Sequence, residues 1–168
     1  MQLREIDKSI YQKHLRTVFI GMAVALLIIS PLLSLLLIFM FSEPEASHFM
    51  HNVASALIAA AIVAFVLTKL RQHPYMEEVV YVWDLKQQLS QIHRRQRKIQ
   101  AAVENEDRDA MIIINFQYRG SKQLYELDDN TITMEELNAK IIHHDQVLEQ
   151  ADLTISTDSF DPSRIKNY

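Results

Sequence analysis

The chain has 168 residues, with 17 Lys and Arg against 21 Asp and Glu, a formal net charge of −4, and no cysteine. The lack of cysteine excludes disulfides, thiolate catalysis and cysteine metal sites, and the acidic balance argues against a nucleic-acid-binding field. Two glycines are too few for most nucleotide loops, and neither a glycine-rich phosphate loop nor a His-Glu zinc motif is present, so no cofactor is expected.

Residues 1–16 carry Arg4, Lys8, Lys13 and Arg16 and read as a cytoplasmic N-terminal segment. From Thr17 to Phe41 no charged residue occurs in 25 positions, and from Ala46 to Thr68 none occurs in 23. A bilayer crossing needs roughly 20 residues, so both stretches are long enough to span. A cleaved secretory signal is excluded because its apolar core is usually about 7 to 15 residues and ends in a small-x-small site, whereas this run leads straight into Ser42-Glu43-Pro44. Two buried core helices of a soluble protein are excluded too, because covering them would take far more chain than remains. The expected layout is transmembrane helix 1 over 17–41, a short periplasmic turn over 42–48 and transmembrane helix 2 over 49–70.

Orientation follows from the basic residues. Four precede the first stretch, none lies between Ser42 and Asn52, and Lys69 and Arg71 follow the second stretch at once. Both termini are therefore expected in the cytoplasm, with the two spans as an antiparallel hairpin. Small residues suggest the hairpin interface: Ala56, Ala60 and Ala64 share one face of the second span with Ser55 and Ala59 adjoining, and Gly21 and Ala25 share one face of the first. Such faces allow close backbone approach, within one hairpin or between two copies. Pro31 and Ser34 suggest a mild kink, the serine hydroxyl partly satisfying the carbonyl that proline frees. No charge lies inside either span, which removes most support for a transporter.

His48 and His51, three apart and near Glu43 and Glu45, share a helix face in a chemistry that suits zinc or copper. Two histidines fall short of the three or four ligands a site needs, so they read as polar residues at the membrane boundary, and no metal site is assigned.

The soluble part, a helical domain over 74–152, opens at His73-Pro74, where proline suits a first helical turn and displaces the preceding residue from helical geometry. Glu77 and Glu78 near the start and Arg94, Arg95, Arg97 and Lys98 near the end match the helix dipole. Val82, Leu85, Leu89, Ile92, Ile99 and Val103 form a coiled-coil-like ladder broken by Gln96, a polar residue that either fixes register with a helical partner or lies at a solvated end. Unbroken from Pro74 to Asn105, this helix would extend roughly 48 Å.

The cluster from Glu104 to Asp109 reads as a turn and an acidic first turn. Met111, Ile114, Tyr118 and Tyr125 follow at helical spacing, although residues 111–118 also have strand character. Gly120 sits inside this pattern at a cost of about 1 kcal/mol relative to alanine, which suggests close helix packing. Asp128-Asp129-Asn130 is a turn. Thr133 and Glu136 match a capping box that opens a third helix. Its ladder is Met134, Leu137, Ile141, His144, Leu148 and Ala151. His144 reads as a hydrogen-bonded core residue, while His143 and Asp145 point elsewhere. Residues 153–168 are polar, contain Pro162 and read as a mobile tail. The fold class is all-α, a transmembrane hairpin followed by a cytoplasmic bundle of about three helices.

The run Asn115-Phe116-Gln117-Tyr118-Arg119-Gly120-Ser121-Lys122-Gln123-Leu124-Tyr125-Glu126-Leu127-Asp128-Asp129-Asn130-Thr131, with Glu5-Ile6-Asp7-Lys8, resembles an uncharacterised family of gammaproteobacterial inner-membrane proteins. The resemblance spans nearly the whole chain. It implies a location, the bacterial inner membrane, and no mechanism, because the family carries only a domain-of-unknown-function label.

No acid, base and nucleophile set can be assembled, so catalysis is not expected and no catalytic, cofactor-binding or metal residue is assigned. Residues 69–168 hold 13 basic and 17 acidic residues, and the Arg94–Lys98 cluster reads as a solvated face, with neither nucleic acid nor a small-molecule substrate identified. The expected partners are the lipid bilayer and a protein partner or second copy docked on helix faces. Two functions follow, a membrane-anchored scaffold and an accessory subunit of a larger membrane complex.

Overall fold

The structure, a computed structural model, describes residues 2–41 and 48–168. Every regular element among them is helical: α1 (Lys8–Phe41), α2 (Phe49–Leu70), α3 (Glu77–Arg94), α4 (Gln96–Glu104), α5 (Arg108–Leu127) and α6 (Met134–Gln150). Short 3-10 turns cover Pro74–Met76, Thr157–Ser159 and Pro162–Asn167. Residues 111–118 are therefore helix, and α2 has the bounds expected of the second span. Of the connector over 42–48, only His48 lies within the described residues. The chain divides into two compact units, one formed by the N-terminal residues up to Lys8 with Tyr81–Tyr168, the other by Ser9–Val80.

In the Ser9–Val80 unit, α1 and α2 are both long and apolar enough to cross a membrane, and their most apolar windows are only 6% and 17% buried. Helix α1 runs uninterrupted through Pro31. Ser34 is buried, and its hydroxyl donates to the Asn52 side chain of α2 instead of serving the carbonyl freed by proline. The face of α2 that is buried is Ser55, Ala59 and Val63. Ala56, Ala60 and Ala64 are exposed, and nothing lies within 4 Å of where a Cβ on Gly21 would sit. The expected meeting through Ala56, Ala60 and Ala64 does not occur; of the small residues expected at the interface, the adjoining Ser55 and Ala59 are the buried ones. Ser55 is as small as alanine, and its hydroxyl is satisfied within α2 by the Asn52 carbonyl at 2.8 Å. Proline is placed as expected after α2, with extended His73 accepting the Tyr75 N–H at 3.1 Å.

In the other unit α5 is the centre, its residues from Ala110 to Gln117 all buried, with α4, α6 and both C-terminal 3-10 turns packed on it. The helix expected over 74–105 is not continuous. Arg95 leaves helical geometry (φ −112°, ψ 8°) between α3 and α4. Ile92 and Ile99, on either side of the break, are both fully buried. Gln96, half-buried in the first turn of α4, is thus not part of a continuous coiled-coil seam. Gly120 does mark close packing: a Cβ there would meet Leu85 Cδ1 at 3.2 Å and Leu89 Cδ2 at 3.3 Å.

Helices α4, α5 and α6 end alike. Glu106, Asp129 and Asp152 take φ of 59°, 55° and 52°, and the next residue's N–H bonds back five residues, from Asp107 to Ala102, Asn130 to Tyr125 and Leu153 to Leu148. These are Schellman ends with an acidic residue where glycine is usual. Helix α6 starts where expected, but the capping box is not formed: the Thr133 side chain makes no cap bond, and Glu136 pairs with Lys140 at 2.6 Å.

Residues 153–168 are not a mobile tail. Phe160 and Ile165 are 3% and 2% exposed, and Phe160 stacks on Phe116 with ring centroids 3.8 Å apart and planes 11° from parallel. These two apolar anchors, with the bond from the Asn115 side chain to the Ile155 carbonyl, hold the otherwise polar strap on α5. The N-terminal residues dock in the same unit through a closed set of bonds: the Arg4 N–H donates to the Tyr81 hydroxyl at 2.9 Å, that hydroxyl donates to Gln123 Oε1 at 2.9 Å, and Gln123 Nε2 donates to the Arg4 carbonyl. Lys8 pairs with Asp129 beside them.

Candidate functional site

The buried polar side chains of the α5-centred unit belong to α5 and α6. Asn115, Gln117 and His144 are buried, and Asn115 Nδ2 donates to the Ile155 carbonyl of the strap at 3.3 Å. His144 is brought in by the α6 apolar ladder, as its spacing predicts, and stands edge-on to Tyr118 with ring centroids 5.8 Å apart. Burial lowers its pKa from the ordinary 6.5, opposed by the Asp145 carboxylate and by a hydrogen bond with the Met111 backbone, so it is neutral near pH 7. Burial also raises the Tyr118 hydroxyl. One guanidinium nitrogen of Arg119 contacts both carboxylate oxygens of Asp145, at 2.7 and 2.8 Å, but both side chains are partly exposed and the pair is worth at most about 1 kcal/mol. Among the described residues the histidine has neither a nucleophile nor a second base in hydrogen-bond contact. The arrangement organises a helix interface, with His143 exposed on the other side of α6.

In the Ser9–Val80 unit, His48 and His51 have ring centroids 6.4 Å apart. Glu43 and Glu45 lie outside the described residues, and among the described residues no three His, Asp or Glu side chains are grouped to hold a metal ion. His14 and Glu78 pair at 3.0 Å, with the Tyr75 ring 3.8 Å from that of His14. A largely apolar hollow of about 550 Å³ opens between α1 and α2 beside Gly21.

Residues 1–165 match the family described as protein of unknown function (DUF3087). The chain belongs to this family. No curated protein and no solved structure matches it. The family match includes both segments on which the sequence resemblance rests, Glu5–Lys8 and Asn115–Thr131. It brings no assigned activity, so the site is read from geometry.

Three elements of that geometry are missed by sequence reasoning. The Arg4–Tyr81–Gln123 set joins residues far apart in the chain, and no local pattern reveals it. The break at Arg95 has no proline or glycine to mark it. The strap did carry signals: Ser156 and Asp161 accept backbone N–H groups as N-caps, and Pro162 follows in a first-turn position, as Pro74 does after His73.

Proposed function

We propose that the chain is a membrane-anchored helical interaction module of the bacterial inner membrane, without catalytic activity of its own. Helices α1 and α2 form an antiparallel transmembrane hairpin with both termini cytoplasmic. The helices after Pro74, with the strap, form a cytoplasmic bundle that holds a protein partner or a second copy near the bilayer. The observation that carries this reading is the exposure of α1 and α2: the rest of the chain leaves side chains such as Phe19, Leu27, Leu35, Phe39, Leu57 and Phe65 uncovered, at 59% to 89% exposure. Hydrocarbon is the solvent that such surfaces suit. The Arg4–Tyr81–Gln123 set supports the topology independently of charge, because a segment before the first span and helices after the second can pack in one unit only from the same side of a bilayer. The Ser34–Asn52 bond supports the hairpin, since polar side chains within spans seek one another.

A second reading, an accessory subunit of a larger membrane transport or enzyme complex, is favoured by the exposed Ala56, Ala60 and Ala64 stripe, which suits close approach of another membrane helix. Affinity purification of the full-length protein in mild detergent separates the two. The scaffold predicts a monomer or homodimer with soluble partners, and the subunit reading predicts a stoichiometric membrane complex.

A further inference from the structure

Where α3 gives way to α4, Arg94, Arg95, Arg97 and Lys98 are brought together with Lys166 of the strap around a concavity of about 870 Å³. The Arg95 guanidinium donates to the Ile165 carbonyl, fastening the strap to the break and holding Lys166 at the rim. Beyond it, burial and, after it, the neighbouring Asp107 carboxylate push the Tyr168 hydroxyl up to about 12. Five permanent cations line the hollow, and no Asp or Glu side chain does. Among the described residues no carboxylate pairs with Arg94, Arg97, Lys98 or Lys166, although the chain as a whole is net negative. The first turn of α4 also holds no acid, so Arg97 and Lys98 sit at the helix end where the dipole disfavours cations. Arg94, in the last turn of α3, is on the side the dipole favours, but the hollow still gathers five cations against their mutual repulsion with no acidic side chain among its lining.

We propose that this concavity binds a phosphate-bearing anion. Guanidinium forks match phosphate oxygens two at a time, and flexible lysines add point charge. The hollow is confined to one helix break and does not run on as a track, and the net negative chain repels a long polyanion, so the ligand is a compact phosphate compound or a lipid headgroup and not a nucleic acid. The pyrophosphate arm of the test does not depend on the membrane reading above, whereas the nanodisc arm rests on it.

The test uses the full-length protein in two arms, calorimetric titration with inorganic pyrophosphate in neutral detergent, and flotation of phosphatidylcholine nanodiscs with vesicles of phosphatidylcholine and phosphatidylglycerol in equal parts. Saturable pyrophosphate binding supports the proposal with a free phosphate compound as ligand, and flotation with the anionic vesicles alone supports it with a headgroup. In either case the combined Arg94→Gln, Arg97→Gln and Lys98→Gln variant weakens binding about tenfold or more, the exposed Lys166→Gln variant weakens it less, and Lys122→Gln with Lys140→Gln leaves it unchanged. Equal helix content by circular dichroism separates a lost site from a lost fold. No saturable binding in either arm, binding unchanged in the triple variant, or tighter binding of duplex DNA than of pyrophosphate would overturn it.

Discussion

Replacing Phe160 by alanine tests whether the C-terminal strap is part of the fold. Its ring is 3% exposed and lies flat on Phe116, which is fully buried in α5. Truncating a buried phenylalanine costs about 3 to 5 kcal/mol, and losing a stacked aromatic pair accounts for about 1 kcal/mol of that. The lower figure, about 3 kcal/mol, is expected here because a strap at the edge of the unit can relax toward the gap. Against a total stability of about 5 to 15 kcal/mol, that is a large fraction and lowers the melting temperature by on the order of 10 °C. Phe160→Leu keeps most of the volume and loses the stack, so it costs about 1 kcal/mol. The assay is thermal unfolding of the full-length protein in neutral detergent, alongside limited trypsin digestion at Arg164 and Lys166, which speeds up when the strap is released. A loss below about 0.5 kcal/mol in both variants, with wild-type protein cut as fast as a free peptide, would refute the docking.

Glu106→Gly relieves an acidic side chain held at φ 59° and raises stability by about 1 kcal/mol, read as an increased melting temperature; a decrease would contradict the Schellman geometry. Tyr81→Phe removes the hydroxyl that links Arg4 to Gln123 in a 5% exposed setting and costs about 1 to 3 kcal/mol, with the N-terminal residues becoming protease-sensitive. His144, with its folded pKa held below 6.5 by burial, stays neutral while the unfolded chain takes up a proton. Its contribution to stability is therefore complete above about pH 6.5 and declines as the pH falls from there toward the folded value. Melting temperatures measured from pH 7.5 to 5.5 should fall more steeply for wild type than for His144→Leu, and parallel curves would remove histidine from the explanation.

Much of the architecture was legible because it rests on periodicity and composition. Both long apolar helices announce themselves by uncharged length, α2 to the residue, and the ladders of α5 and α6 placed Gly120 against a neighbouring helix and His144 in the core. What escaped reading was of two kinds. Helix ends were obscure where the chain uses Glu106, Asp129 and Asp152 at positions that glycine usually marks, and at Arg95, where no proline or glycine marks the break. The other kind is tertiary: two anchors, Phe160 and Ile165, fix a strap whose average composition is that of a disordered tail, and composition averages over the residues that matter. The buried face of α2 runs through Ser55 and Ala59 and not through Ala56 and Ala60, a choice among residues of like size that size alone does not reveal.

The central claim is a hairpin anchor with both ends on the cytoplasmic side, and topology reporters test it most directly. A reporter active only in the cytoplasm should be active when fused after Tyr168, and one active only in the periplasm should be active when inserted between Ser42 and Ser47. The reverse pattern would contradict the charge argument and, with it, the placing of the helical unit beside a cytoplasmic partner. A periplasmic signal from neither site, with the protein in the supernatant after high-speed centrifugation, would contradict membrane anchoring altogether.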